Sequence, residues 1–240
     1  MGYEDDMEDY YDEKEFNKKQ LEQLKKVACF IPIKHNSQRV VGKNLRPLGD
    51  KPLYRHILDK VLSMDLFGDV YVDTDSQEII DYCNSKNIKT IKRIPELLKD
   101  SATGNDLLKH WINTKPDYDL YYQVHVTSPF MTKKSIQGCV DALVEDNKYD
   151  SVFSAIEEKS WYWFNDKPIN YDPRNFGRSQ DAKGVVRETT CLYGIRKDAF
   201  LETQCRIGDS PFIYYVDDVE AVDIDNEIDF KFCETLIGEN

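Results

Sequence analysis

The chain lacks any apolar run near the roughly 18 residues that a membrane-spanning helix needs, so no membrane partner is expected. It also lacks the basic start and apolar stretch of a secretory leader. It opens instead on Met1, Gly2, Tyr3, Glu4, Asp5 and Asp6, and a cytoplasmic location is the expectation. Its six cysteines, Cys29, Cys83, Cys139, Cys191, Cys205 and Cys233, contain no C-x-x-C pair. Without that spacing they read as small buried apolar residues rather than zinc ligands or a disulfide framework. The four histidines show no metal-type spacing. Basic residues are scarce, 32 against 44 acids, giving a net charge of −12. Eight acids and one base fall in residues 1–16 alone. A body this acidic lacks the cationic face that nucleic acid requires.

What is present is enough chain, 240 residues with 15 Tyr and 11 Phe, to bury a core unaided. Residues 1–26 read as an acidic, largely disordered appendage, with a short amphipathic helix expected over 15–26; residues 27–240 read as the catalytic body. Buried-strand patterns at 27–33, 70–72, 88–93, 120–126 and 151–156 alternate with helical spacing at 53–64, 77–86, 104–114 and 133–146. Ser76 is a plausible N-cap for the second of these helices. Strands are expected again at 191–195 and 212–216, and a closing helix at 226–237. This alternation predicts an α/β/α sandwich on a mostly parallel sheet, with ligands held outside the carboxyl ends of the strands. Residues 157–187 break the rhythm with Trp161, Tyr162, Trp163, Phe164 and Tyr171, and read as an inserted arm. So many aromatics in one stretch would be a liability on a monomer, which points to a homodimer.

Three segments can carry chemistry. Residues 31–52, IPIKHNSQRVVGKNLRPLGDKP, place Lys34, Arg39 and Lys43 with Asn36, Ser37 and Asn44 just after the first strand. Such a cluster suits a polyphosphate, which needs several cations and donors at once; it can equally be a solvated basic loop. It is neither G-x-x-x-x-G-K-[ST] nor G-x-G-x-x-G. In Val222-Asp223-Ile224-Asp225 two carboxylates at alternate positions suit a hard cation such as Mg²⁺. The competing reading is a helix cap, with Asp225 or Asn226 starting the last helix. The run from Arg93 to Asp106, with Asp100, Ser101, Ala102 and Thr103, leads into a helix start that can meet an anion or a carbonyl edge, or can be a plain loop and cap.

Taken in order, these segments resemble the CMP-sialic acid and CMP-Kdo synthetases, a cytidylyltransferase family of the Rossmann-like, nucleotide-diphospho-sugar transferase type. Ile31-Pro32-Ile33-Lys34, Ser37, Arg39, Lys43-Asn44 and Lys51-Pro52 follow its signature loop. Thr74-Asp75-Ser76, Arg93 to Asp106, Thr127-Ser128-Pro129, Arg178-Ser179-Gln180-Asp181, Glu188 with Leu192-Tyr193, and Val222 to Asp225 match its later motifs, so the resemblance spans about 27–236. The chain departs from the pattern at Lys34, His125 and Thr189, where the family carries arginine, glutamine and asparagine.

The resemblance implies transfer of CMP from CTP to the anomeric hydroxyl of a 3-deoxy-ulosonic acid, releasing pyrophosphate. By that resemblance Lys34, Arg39 and Lys43 hold the triphosphate. Asn36, Ser37, Asn44, Arg93, Ser101, Ala102 and Thr103 face the nucleotide. His125, Thr127, Arg178, Gln180 and Glu188 meet the acceptor, whose carboxylate Arg178 would pair. Asp100, Asp223 and Asp225 hold Mg²⁺, and the aromatic arm reaches the partner's site in a homodimer. His125 and Thr189 in place of side-chain amides point to an acceptor other than plain N-acetylneuraminate. The rival readings are a nucleotidyltransferase acting on a sugar phosphate or phosphonate, and a decayed paralogue that only binds nucleotide.

Overall fold

The computed structural model describes residues 24–238 apart from 25, 38 and 176. All but residues 24 and 26 of the acidic appendage, and so nearly all of the helix expected over 15–26, lie outside the described residues. Strand β1 (Val27–Ile33) is buried along its length because apolar side chains occupy both faces. Val27, Cys29, Ile31 and Ile33 enter one core, while Ala28 and Phe30 enter another on the opposite face.

Around β1 the chain builds β2 (Pro47–Leu48), β3 (Lys51–Pro52), α1 (Leu53–Leu62), β4 (Asp69–Thr74), α2 (Gln77–Ser85), β5 (Lys89–Lys92), α3 (Gly104–Thr114), β6 (Leu120–Val124) and α4 (Lys133–Val144). It continues through β7 (Ser151–Glu158), β8 (Trp163–Phe164), β9 (Lys167–Pro168), β10 (Val185–Arg196), α5 (Lys197–Thr203), β11 (Pro211–Tyr215) and α6 (Glu227–Gly238). Seven strands form one sheet in the order β11-β7-β10-β6-β1-β4-β5. The pairs β1–β4, β1–β6, β4–β5 and β7–β11 are parallel, and β10 runs antiparallel to both β6 and β7. The fold is thus the mostly parallel, Rossmann-like sandwich that the alternating pattern predicts. Helices α1, α2 and α4 bury Ile57, Ile79 and Val140 on one face. On the other face α3 and α5 bury Trp111 and Phe200 against Phe30, Tyr71 and Tyr121. Phe30 stacks on Trp111 at 4.7 Å and on Tyr71 at 5.2 Å between ring centroids. From β1 the chain moves outward through β4 and β5, then returns to place β6 on the other side of β1. That reversal opens a crevice at the carboxyl ends of β1 and β6.

Helix α5 and the antiparallel course of β10 depart from the expected pattern. The expected arm is also shorter at both ends. Strand β7 continues to Glu158 and β10 starts at Val185, paired with it. Between them a hairpin, β8–β9, leaves Trp163, Phe164 and Ile169 more than half exposed. All six cysteines are free thiols, five buried and Cys205 half-buried, and burial raises the Cys83 pKa to about 11. Among the described residues no helix is long and apolar enough to cross a membrane.

Gly194 shows how tightly β10 meets β6. A Cβ there would fall 2.3 Å from a ring carbon of Tyr122. The Tyr122 ring is itself fully buried and its hydroxyl donates to the Cys139 and Val140 carbonyls at 3.2 and 3.3 Å. Gly194→Ala is therefore expected to lower stability by about 1–3 kcal/mol through overpacking, measured by urea unfolding; a neutral change would show that Tyr122 yields.

Candidate functional site

The crevice at the carboxyl ends of β1 and β6 widens into a cleft of about 540 Å³. Its first wall is the loop after β1. Asn44 Nδ2 donates to the Lys34 carbonyl at 2.7 Å and closes that loop on itself. Gly42 supplies a left-handed turn at φ +62°. Asp75 and Ser76 hold the loop from below: the His35 backbone N–H donates to Asp75 Oδ1 at 2.7 Å, and His35 Nδ1 lies 3.1 Å from Ser76 Oγ. Ser76 does occupy the N-cap of α2, but its side chain makes no capping hydrogen bond.

The three cations of this wall have different surroundings. Lys34 is within 3.5 Å of Asp100, and Arg39 within 2.6 Å of Asp225, both pairs partly solvated. Lys43 is buried and its ammonium donates to the Ile224 carbonyl. Burial pushes the Lys43 pKa down, while the nearby Asp223 and Asp225 push it back up.

The second wall comes from the segment after β5. Arg93 is buried and its Nε donates to Asp73 Oδ1 at 2.5 Å, so its charge is committed to a fully buried partner. Thr103 and Asp106 form a reciprocal capping box on α3. Ala102 and Thr103 line the cleft, and the neighbouring Ser101 does not.

His125 and Thr127 close the floor. The His125 backbone N–H donates to the Cys191 carbonyl at 2.9 Å, leaving its ring beside Tyr193. Burial, followed by the charges of Arg206, Arg93 and Lys43, lowers the His125 pKa to about 3. The ring is therefore neutral.

Behind Arg39, Lys43 and Thr127 stands the segment 222–226, which touches these lining residues without itself lining the cleft. The Ile224 backbone N–H donates to the Thr127 carbonyl at 2.9 Å. Asn226 Oδ1 accepts from the Ile228 and Asp229 backbone N–H groups, and Asp229 accepts from those of Asp225 and Asn226. Asn226 is thus the cap of α6, and the Asp225 carboxylate is left for Arg39. Asp223 Oδ2 accepts from the Thr190 hydroxyl at 2.9 Å. Thr190 is held at φ +60°, a strained conformation for a β-branched residue, in an irregular stretch of β10. Asp223 Oδ1, His125 Nε2 and Asn44 Oδ1 are buried without hydrogen-bond partners among the described residues. Ser128 Oγ is a fourth, and such orphaned groups, rare in native proteins, call for a water, ion or ligand to complete the bonding.

The structure does not gather every expected residue. Asp100, Asp223 and Asp225 do not converge: among the described residues no three His, Cys, Asp or Glu side chains form a metal-binding group. Asp223, Asp225, Arg178, Gln180 and Glu188 lie outside the cleft lining, which Asp100 alone of the three expected metal ligands joins. Arg178 is exposed and paired with Asp181 at 2.9 Å, Gln180 is exposed in a short 3₁₀ turn, and Glu188 accepts from the Tyr193 hydroxyl. The cause is β10, whose Val185–Glu188 portion pairs with β7 beyond the stretch that pairs with β6. Conversely Arg206, which no sequence signal marked, lines the cleft.

Residues 28–174 match the family described as Cytidylyltransferase. The chain is 26% identical over 219 residues to an N-acylneuraminate cytidylyltransferase A of Danio rerio, covering 88% of this chain and 50% of the fish protein. It is 25% identical over 223 residues to the N-acylneuraminate cytidylyltransferase of Escherichia coli O18:K1:H7, covering 88% of this chain and 52% of that protein. The chain thus spans about half the length of these curated relatives. A solved CMP:2-keto-3-deoxy-manno-octonic acid synthetase complexed with CTP shares the fold, with TM-score 0.69 and 17% identity over 89% of this chain and 99% of that one.

The burial of His125 has a pH signature. An unfolded histidine titrates near 6.5, and this one is lowered to about 3. Between those values the unfolded chain binds a proton that the folded chain refuses, so His125 costs nothing above about pH 6.5 and destabilises progressively as pH falls. Histidine NMR is expected to show the His125 ring neutral from pH 8 to 4.5, and His125→Gln is expected to flatten the loss of Tm on acidification. A ring titrating near 6.5 would contradict the burial.

Proposed function

The chain belongs to the cytidylyltransferase family, and on that premise we propose that it transfers CMP from CTP to the anomeric hydroxyl of a 3-deoxy-ulosonic, sialic-acid-like sugar acid, releasing pyrophosphate. The observation that supports the reading is that Lys34, Arg39 and Lys43 of one loop line the cleft together, with the carboxylates of Asp223 and Asp225 close behind Lys43 and Arg39. The anomeric hydroxyl attacks the α-phosphorus, and the bridging oxygen leaves with pyrophosphate. Positioning and charge neutralisation supply most of the catalysis in such transfers. Lys43, being desolvated, exerts the stronger field on the phosphates. Lys34 and Arg39, at the rim, follow the outgoing pyrophosphate. Asn36, Ser37, Asn44, Ala102 and Thr103 face the nucleotide, while His125 and Thr127 face the acceptor.

Mg²⁺ needs only one or two carboxylates, because waters and substrate phosphates fill its remaining positions. The orphaned, buried Asp223 Oδ1 fits that demand, with Asp225 beside it and Asp100 at the rim near Lys34. Bound there, Mg²⁺ would neutralise phosphate charge and acidify the attacking hydroxyl.

Pyrophosphate release with each of the four nucleoside triphosphates, Mg²⁺ and a panel of ulosonic acids tests the function. CTP is expected to be the productive nucleotide. Asp223→Asn keeps the acceptor for Thr190 but removes a charge, and is expected to cut kcat by about 100-fold or more with folding intact. Preference for another nucleotide sinks the reading, and near-normal turnover in the variant moves the metal elsewhere.

The exposed Trp163, Phe164 and Ile169 support a homodimer formed through the arm, which would also carry Arg178 and Gln180 toward a second cleft. Light scattering at micromolar concentration is expected to give twice the chain mass; a monomer mass excludes the arm as an interface.

A further inference from the structure

Arg206 follows α5 in an irregular loop and enters the cleft from the side opposite in sequence to the signature loop. Its guanidinium lies flat over the Tyr193 ring, 3.5 Å from the centroid. Nη1 donates to Gln123 Oε1 at 3.1 Å. Gln123 is buried and its own amide donates to the Gly104 carbonyl at 3.4 Å. The Tyr193 hydroxyl is fixed on Glu188 at 2.7 Å, and the Arg206 backbone N–H on Asn105 at 2.9 Å. Gly104 makes the approach possible, since a Cβ there would fall 2.4 Å from Arg206 Nη1. An arginine stacked and hydrogen-bonded in this way has already lost its rotamer freedom before any ligand arrives.

It has nevertheless no anionic partner. Lys34, Arg39 and Arg93 are each matched to a carboxylate, and Lys43 sits among Asp223, Asp225 and the Ile224 carbonyl. Among the described residues no carboxylate pairs with Arg206, and only Nη1 of its guanidinium donates to a protein acceptor. Nη2 and Nε are left to a ligand, a fork suited to the two oxygens of a carboxylate. Its neighbours Tyr193, Gln123 and Gly104 are distinct from those of Lys43, so it is not one more member of the triphosphate set. The His125 ring packs edge-on to Tyr193, the same ring that Arg206 covers, 6.5 Å between centroids.

We propose that Arg206 is the residue by which this chain recognises the carboxylate of its sugar-acid acceptor, with the unpartnered His125 Nε2 hydrogen-bonding an acceptor hydroxyl. The assignment rests on the cytidylyltransferase reading and moves carboxylate recognition from Arg178, on the arm, to the chain's own cleft. Placed on a stacked, half-buried arginine, an acid is separated from its neutral ester by a lost ion pair and by donors left unpaired.

The test is calorimetric titration of N-acetylneuraminate, Kdo and legionaminate, each against its methyl ester, with saturating CDP in place of CTP so that no turnover intervenes. The wild-type protein is expected to bind at least one acid about 30-fold or more tighter than its ester. Arg206→Gln is expected to bind the two within about threefold, Arg206→Lys to fall between, and CDP affinity to stay within about twofold in both. Both variants are to be checked by Tm, and the lysine variant keeps the test valid if the glutamine variant folds poorly. Retention of the acid preference in Arg206→Gln, its loss in Arg178→Gln instead, or equal binding of acid and ester by the wild type would overturn the proposal. So would failure of every acid to bind while CDP still does. Failure of CDP to bind the wild type overturns the nucleotide reading on which the proposal stands, and is told apart because it appears before any acid is added.

Discussion

The cleft rests on a buried ion pair. Asp73, at the end of β4, is fully buried and receives Arg93 Nε and Trp111 Nε1, each at 2.5 Å. Arg93 also donates to the Asp73 carbonyl at 3.0 Å. One carboxylate thereby joins a central strand, the segment after β5 and the middle of α3. Two opposite charges taken out of water gain little over an apolar replacement, but removing one partner alone costs about 3–5 kcal/mol. The pair is thus better understood as fixing geometry than as adding stability. It ties the body of α3 to β4, while the Thr103–Asp106 capping box sets where the helix begins; Gly104, at that start, admits Arg206.

A protein of net charge −12 whose proposed substrates are anions has to separate its fields. Here the cations are drawn into one crevice, and the rim pairs Lys34–Asp100 and Arg39–Asp225 are partly solvated. Exposed pairs of this kind are worth at most about 1 kcal/mol, so an arriving polyphosphate can displace them at little cost. Lys43 differs. Held by Ile224 and by burial, it is a fixed charge rather than an exchangeable one.

Periodic segments were legible from the residues alone. Helix α3 was expected at 104–114 and runs Gly104–Thr114, because Leu108, Trp111 and Ile112 mark its buried face and Thr103 with Asp106 marks its start. Helix α5 was not, because seven residues with only Phe200 buried leave no period to read. The antiparallel return of β10 was invisible for a related reason: alternation of strands and helices states the order of elements but not the direction of a strand that follows an arm. In the site, the signature loop was legible because its residues are contiguous. Whether Asp225 or Asn226 starts the last helix was open in the sequence, because both can cap; the bonds of Asn226 Oδ1 to the Ile228 and Asp229 N–H groups decide it. Arg206 could not be found at all, since its partners Gln123 and Tyr193 are distant in sequence and its own loop has no pattern.

The bond from Lys43 to the Ile224 carbonyl joins residues 181 positions apart. During synthesis the first strands and helices leave the ribosome with most of the core already in hand, yet the ammonium of Lys43 then has neither that carbonyl nor the charges of Asp223 and Asp225. A buried cation without such partners is costly, so the signature loop has no reason to close on a partial chain. The ligand-binding cleft becomes complete only when the segment just before α6 emerges and docks against Thr127. The nucleotide affinity proposed for this cleft would therefore arrive on nascent chains in a single late step, well after the sheet can form.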